Sequence, residues 1–178
     1  MRILLTGGAG YVGSACLRWL LRHGHEVVAY DNLSEGNRAA VPGGRLVVGD
    51  ILDTDALTGA LRNHGAEALM HFAALAIVPD SVTDPGTYWK VNAEGTRSVL
   101  EAVRAAGVKK ILFSSTCATY DFTSPMPLTE DSLQRPGCPY GTSKLASLRD
   151  RQDPYGAPGD KTFLGFTSFT HRSIGTVR

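Results

Sequence analysis

The chain alternates between short apolar runs and longer stretches in which apolar residues recur every three or four positions. The short runs lie at residues 3–6, 26–30, 46–48, 68–72 and 109–114. Runs of this length are typical of strands that are buried on both faces of a sheet. The stretches with helical spacing lie between them, at residues 12–24, 55–64 and 85–106. Strands that alternate with helices predict an α/β fold built on a doubly wound parallel sheet.

The pattern changes after residue 145. Helical spacing should continue from Tyr140, but residues 153–160 contain two prolines and two glycines, which interrupt helices. Residues 161–169 could form one more strand. We find no regular pattern in residues 170–178.

Composition narrows the class of protein. The 178 residues contain 18 Lys and Arg against 17 Asp and Glu, a net charge of +1. This balance gives no support to a nucleic-acid partner or an anionic membrane surface. The longest apolar run, residues 68–78, is too short to span ~30 Å of hydrocarbon. Three scattered cysteines fit neither a disulfide framework nor a zinc site, so we expect a cytoplasmic protein without a bound metal.

A glycine-rich segment joins the first strand to the first helix. Gly7, Gly10 and Gly13 lie in the sequence Thr-Gly-Gly-Ala-Gly-Tyr-Val-Gly. Between a strand and a helix, the first glycine permits a tight turn, and the second lets a pyrophosphate approach the backbone. The third lets the helix pack close to the strand. The N–H groups and the dipole of the helix then face the anion. The rival interpretation is a glycine-rich turn that binds nothing.

An acidic residue, Asp31, ends the second predicted strand. A carboxylate at this position can accept hydrogen bonds from the adenosine ribose hydroxyls, and it repels a 2′-phosphate. The sequence therefore predicts NAD, rather than NADP, as the cofactor.

Tyr140 and Lys144 lie four residues apart, so a helix places the phenol and the ammonium on one face. A free tyrosine has a pKa of about 10, and a neighbouring ammonium lowers it by stabilising the phenolate. Tyr140 would then act as a general base or acid for a sugar or alcohol hydroxyl. Thr116 would offer its hydroxyl to the same substrate oxygen. The rival interpretations are two surface helix residues for the pair and a strand-end cap for Ser114 and Ser115.

Together these segments resemble the extended short-chain dehydrogenase/reductase family, and within it the UDP-glucose (UDP-galactose) 4-epimerases. The motifs that carry the resemblance occupy residues 6–14, 31–33, 49–51, 71–74, 92, 95–96, 113–120 and 139–145. Their order and spacing match the family over residues 1–145. The sequence departs from the family at Ala76, where epimerases often have lysine, and at Asp121, where glycine is usual.

The resemblance implies a Rossmann-type NAD-binding domain over residues 1–145 and a divergent tail over residues 146–178. Family members continue well beyond this length into a C-terminal lobe that binds the sugar nucleotide. That lobe is missing from this sequence, so we expect a truncated chain with weak NAD binding and little or no turnover.

The resemblance also assigns roles to residues. Those that would bind the cofactor are Gly7, Gly10, Tyr11, Val12, Gly13, Asp31, Asn32, Asp50, Ile51, Phe72, Ala73, Ala74, Asn92, Ser114, Tyr140 and Lys144. The catalytic residues would be Thr116, which binds the 4-oxygen of the sugar, Tyr140, which takes its proton, and Lys144, which bonds the nicotinamide ribose.

The implied reaction interconverts UDP-galactose and UDP-glucose through a 4-keto intermediate, with a UDP-sugar as substrate and a possible homodimer as the assembly. Two alternatives stay open. One is an inactive NAD-binding fragment of an epimerase. The other is a sister enzyme, such as a nucleotide-sugar dehydratase, decarboxylase or reductase. Dehydratases usually have an acidic pair after the strand-end hydroxyl, and here Cys117 and Ala118 follow Thr116.

Overall fold

A computed structural model describes residues 1–149 and 163–166, and it contains one six-stranded parallel sheet. The strands are β1 (Arg2–Thr6), β2 (Glu26–Asp31), β3 (Leu46–Val48), β4 (Ala68–His71), β5 (Lys110–Ser114) and β6 (Phe163–Phe166). Their order across the sheet is β3-β2-β1-β4-β5-β6, which is the doubly wound order of dinucleotide-binding folds. The predicted α/β fold with a parallel sheet is confirmed.

Six α-helices connect these strands or flank the sheet within the described residues. They are α1 (Tyr11–Arg22), α2 (Thr54–His64), α3 (Val78–Thr83), α4 (Pro85–Tyr88), α5 (Gly95–Ala106) and α6 (Pro139–Arg149). The ends of α2 show why the sequence places a helix there. The Asp53 carboxylate accepts a hydrogen bond from the Ala56 N–H at 2.9 Å, and Gly65 ends the helix in the left-handed conformation.

The centre of the sheet is buried on both faces, as successive residues of β1 show by pointing in opposite directions. Leu4 belongs to the core cluster that includes residues of α2 and α5, whereas Leu5 belongs to the cluster that includes residues of α1. Both side chains are fully buried. This two-sided burial explains why the strands appear in the sequence as continuous apolar runs.

The single helix predicted over residues 85–106 is wrong in detail. The structure divides it into α4, a π-helical segment (Trp89–Glu94) and α5, and it adds α3 just before. The Asp84 carboxylate caps α4 by accepting from the Thr87 N–H, which separates α4 from α3. The predicted fourth strand is also one residue too long, because β4 ends at His71.

The C-terminal part is described only in pieces. The helix that contains Tyr140 continues to Arg149, and β6 lies within the region where the sequence predicts a further strand. The proline-rich segment 153–160 and the tail 170–178 lie outside the described residues. In the described part of the chain, the helices are too short or too polar to cross a membrane, and His, Cys, Asp and Glu do not cluster as metal ligands.

Candidate functional site

The glycine loop after β1 is packed so tightly that a Cβ atom does not fit at Gly7 or at Gly13. Gly7 has a φ of +71°, and a Cβ atom there would lie 2.5 Å from the backbone nitrogen of Ala73. A Cβ atom at Gly13 would lie 2.1 Å from the carbonyl oxygen of Gly7. The loop therefore presses α1 against the end of β1 and brings the ends of β1 and β4 together.

A cleft opens at the carboxyl ends of the strands, where the strand order reverses between β1 and β4. Nine of the residues predicted to bind the cofactor line this one cleft: Gly7, Gly10, Asp31, Asn32, Asp50, Ile51, Phe72, Ala73 and Ala74. They come from four separate segments of the chain. Gly7 and Gly10 of the glycine loop line the cleft beside the N-terminus of α1, an arrangement that can bind an anion such as a pyrophosphate.

Asp31 has two structural partners in addition to its predicted ligand. Its carboxylate accepts hydrogen bonds from the N–H of Ala9 at 2.9 Å and from the N–H of Leu33 at 2.8 Å. Each carboxylate oxygen has a second lone pair, so the group can still accept from ribose hydroxyls. Asp31 thus joins the glycine loop to the loop that follows β2.

The other end of the cleft is organised around Asp50. The Asn32 amide donates to the Asp50 carboxylate at 3.0 Å, and the Tyr30 hydroxyl donates to the Asp50 carbonyl at 3.1 Å. The Leu52 N–H also donates to the same carboxylate at 2.8 Å. These bonds fix the segment after β3 against the segment after β2, where the adenine is expected.

Sequence reasoning missed several residues that line the cleft, namely Tyr30, Ser34, Glu35, Gly36, Gly49, Leu75 and Val91. Two of them had a signal in the sequence. Gly36 lies in the polar loop that follows Asp31, and a Cβ atom there would lie 2.7 Å from the Asp31 carboxylate. Tyr30 directly precedes Asp31 and could have been assigned with it.

Other predicted cofactor residues do not line this cleft. The side chains of Tyr11 and Val12 are exposed on the first turn of α1, with 89% and 49% of their surface accessible. Gly13 is buried behind the loop, and Ser114 is half-buried at the end of β5. Tyr11 and Val12 could therefore contact the pyrophosphate through their backbone N–H groups, whereas Gly13 acts by shaping the loop.

Asn92 is buried in the π-helical segment, and protein groups occupy both ends of its amide. Its oxygen accepts from the Leu75 N–H at 2.9 Å, and its nitrogen donates to the Leu75 carbonyl at 3.0 Å and to the Ser143 hydroxyl at 3.1 Å. The Asn92 carbonyl accepts from the hydroxyls of Thr96 and Ser147 at 2.5 and 2.9 Å. The π segment thus anchors α6 beside the cleft.

Tyr140 is the second residue of α6. The pKa of its phenol is raised, mainly because burial disfavours the phenolate, while a hydrogen bond with the Thr116 hydroxyl acts in the lowering direction. The sequence predicts that Lys144 lowers the pKa of Tyr140, whereas in the structure this pKa is raised, with burial as the main cause.

Lys144 is buried, with its ammonium 4.2 Å from the centre of the Phe113 ring. Burial lowers the pKa of Lys144 to about 7, so only part of the population is charged at neutral pH. In the described residues, the ion pairs do not include this ammonium. A bound group with polar oxygens beside Lys144 would restore its charge.

His71 lies under the site as a buried, neutral side chain. Its ring nitrogens are 2.6 Å from the Thr6 hydroxyl and 3.2 Å from the Thr96 hydroxyl. Burial, and then the nearby Lys144, lower the pKa of His71 to about 3. His71 therefore joins the ends of β1 and β4 to α5 without carrying charge at neutral pH.

A second hollow adjoins the cleft on the side of Tyr140. The two share Glu35, Ala74 and Leu75, and the hollow extends to Tyr88. The rings of Tyr88 and Tyr140 meet edge to face, with centroids 6.4 Å apart. The hollow therefore extends from the cleft to Tyr88, and through Tyr88 to the ring of Tyr140.

The first relatives found by comparison with known proteins are named UDP-glucose 4-epimerase. The UDP-glucose 4-epimerase of Corynebacterium glutamicum is 46% identical over 147 residues, which are 82% of this chain and 44% of that enzyme. The crystal structure of UDP-glucose 4-epimerase from Brucella ovis in complex with NAD matches with a TM-score of 0.86 and 39% identity, over 93% of this chain and 50% of that chain. This chain therefore spans about half the length of these relatives, or less.

A sister enzyme has the same fold. The dTDP-glucose 4,6-dehydratase of Streptomyces venezuelae, solved with NAD bound, matches with a TM-score of 0.78 and 36% identity, over 84% of this chain and 50% of that chain. The family model named "NAD dependent epimerase/dehydratase family" matches residues 3–153. The family name specifies NAD, which is the cofactor that the sequence predicts from Asp31. The chain belongs to the NAD dependent epimerase/dehydratase family.

Proposed function

We propose that this chain binds NAD and carries the catalytic groups of a UDP-glucose 4-epimerase. The observation that supports it best is the single cleft formed by nine predicted cofactor residues. The hollow that adjoins this cleft extends to Tyr88, whose ring meets that of Tyr140. The glycine loop would hold the pyrophosphate, and Asp31 would bind the adenosine ribose. We place the NAD-binding domain at residues 1–145.

The chemistry that NAD supplies when bound is acceptance and return of a hydride at C4 of the sugar. The protein groups would handle the proton and the orientation. Thr116 would donate a hydrogen bond to the 4-oxygen, and Tyr140, once deprotonated to the phenolate, would take the proton from that oxygen and return it. Lys144 would bond the nicotinamide ribose, which would keep its ammonium charged beside the phenol.

The first test is binding of NAD and NADP to the purified chain by calorimetry. We expect NAD to bind more tightly, because the Asp31 carboxylate repels a 2′-phosphate. Gly10→Val should abolish binding, since a branched side chain would fill the approach to the backbone. Ala15→Val, which places the same branched side chain on the exposed side of α1, should leave the affinity unchanged. Tighter binding of NADP, or normal binding by Gly10→Val, would refute this cofactor site.

The second test is conversion of UDP-galactose to UDP-glucose. Since relatives of this chain are about twice its length, we expect turnover well below the ~1 per second at which ordinary enzymes begin. Tyr140→Phe should remove whatever turnover is measured and leave NAD binding intact, because phenylalanine cannot exchange a proton. If the unmodified chain turns over at a measurable rate, a Tyr140→Phe variant with the same rate would exclude Tyr140 as the base.

A dehydratase would begin with the same chemistry but would then remove water from the nucleotide-sugar, so its product would differ from that of an epimerase. The presence of Cys117 and Ala118 after Thr116, in place of an acidic pair, favours the epimerase. Product analysis by NMR would separate the two reactions, and a dehydrated sugar would overturn the epimerase proposal.

A further inference from the structure

One loop connects the two residues that face the substrate oxygen in the proposed site. Thr116 lies five residues before Asp121, and Tyr140 lies five residues after Arg135. Residues 121–135, which we call the bridging loop, therefore separate the chain leaving Thr116 from the chain entering Tyr140. The contacts that hold the two ends of the bridging loop together therefore also set the separation of these two chain segments.

Asp121 closes the bridging loop through both its backbone and its side chain. Its N–H donates to the Leu133 carbonyl at 2.9 Å, and its carboxylate is 2.6 Å from the Arg135 guanidinium. The same carboxylate accepts from the N–H of Thr123 at 2.9 Å and from its hydroxyl at 2.8 Å. Only 8% of this side chain is exposed, so these groups have replaced water around the charge.

The two ends of the bridging loop also touch where they join the site. A Cβ atom at Gly137 would lie 3.1 Å from the Phe122 ring. A Cβ atom at Gly141 would lie 2.2 Å from the carbonyl oxygen of Ala118, so the start of α6 is pressed against the residue two positions after Thr116. The alignment of these ends leaves little tolerance for a shift of the loop.

We propose that Asp121 is a positioning residue that fixes the start of α6, and with it Tyr140, against the segment that contains Thr116, by tying the bridging loop to Arg135. The inference rests on the proposed function, because it assigns the pair of residues that Asp121 positions.

The test measures the Tyr140 phenol directly, without needing turnover. The chain is labelled with 3-fluorotyrosine, the Tyr140 fluorine resonance is assigned with Tyr140→Phe, and its pH titration is followed by NMR. Thr116→Ala should raise the titration midpoint, because it removes a hydrogen bond that favours the phenolate. Asp121→Asn and Arg135→Met should raise it in the same direction.

Two controls separate positioning from general stability. Asp131→Asn removes the same charge from an exposed site in the same loop and should leave the Tyr140 midpoint unchanged. Arg135→Lys keeps a cation beside Asp121 and should restore the unmodified midpoint. The double variant Thr116→Ala with Asp121→Asn should titrate like Thr116→Ala, since the bond that Asp121 maintains is already gone.

The outcomes distinguish this inference from the proposed function. If Asp121→Asn and Arg135→Met lower the melting temperature but leave the Tyr140 midpoint unchanged, Asp121 is only structural and the inference fails. Should Asp121→Asn not fold, Arg135→Met decides the matter by the same criterion. Failure to bind NAD would refute the proposed cofactor site, and the Tyr140 titration would still judge the role of Asp121.

Discussion

Lys144 places an amine in the interior of the protein, and its pKa of about 7 makes stability depend on pH. The folded chain binds fewer protons than the unfolded chain between pH 7 and the ordinary lysine pKa of about 10.4, so stability should rise with pH in that window. From pH 7 to 9 we expect a gain of up to about 1.4 kcal/mol per pH unit. Urea denaturation at several pH values measures it.

Lys144→Met should flatten this pH dependence and raise stability at pH 7, because a buried charge is no longer required. Lys109→Met, at an exposed position, should keep the slope of the unmodified chain. A slope between pH 7 and 9 that survives in Lys144→Met would contradict the assignment to Lys144.

His71, whose pKa is about 3, affects a separate pH range. The stability of the chain should fall as pH drops from about 6.5 toward 3.

Gly13 offers a second prediction at the level of one residue. An alanine there would push its Cβ into the Gly7 carbonyl, so Gly13→Ala should cost about 1–3 kcal/mol of stability and weaken NAD binding. Gly59 lies inside α2 with open space around it, and Gly59→Ala should stabilise the chain by about 0.5–1 kcal/mol. Equal effects of the two variants in urea denaturation would show that the loop tolerates a side chain.

Among the elements, the π-helical segment depends on the hydrogen bonds of one buried side chain, that of Asn92. Asn92→Ala would leave the N–H and carbonyl of Leu75 without partners and should destabilise the chain by about 2–4 kcal/mol. Hydrogen exchange should also show faster opening of α6, which is anchored to this segment. Asn63→Ala, at an exposed position of α2, is the matched control. A loss as small as that of the control would mean that water replaces the Asn92 amide.

The elements also show which parts of the fold can be read from sequence. Two-sided burial produces the apolar runs of the central strands, so these were predictable. The edge strand β3 was predicted from its apolar run, although Val47 and Val48 are exposed. The glycine loop was predictable from its spacing. The π segment was not, because its helical register is set by Asn92 pairing with Leu75 and Ser143, which are distant in sequence. The raised pKa of Tyr140 was also not predictable, since desolvation depends on packing.

At the scale of the whole molecule, the two faces of the sheet should unfold together. Leu4 and Leu5 are adjacent in sequence but belong to opposite core clusters. Leu4→Ala and Leu5→Ala should each cost about 2–5 kcal/mol, and fluorescence and circular dichroism should report one shared transition. Val48→Ala, at a side chain that is 53% exposed, should change stability by less than about 0.5 kcal/mol. Separate transitions for the two faces would contradict a single cooperative core.

The bonds of Asp31 to Ala9 and Leu33 constrain how cofactor preference could be altered by mutation. Removing the carboxylate to admit a 2′-phosphate would also release two N–H groups that hold the glycine loop to its neighbour. A single substitution would therefore weaken both cofactors before it favoured NADP. The mutational route from one preference to the other passes through a poorly binding intermediate. A library that varies position 31 together with residues 33–36 is the one in which NADP-selective variants should emerge.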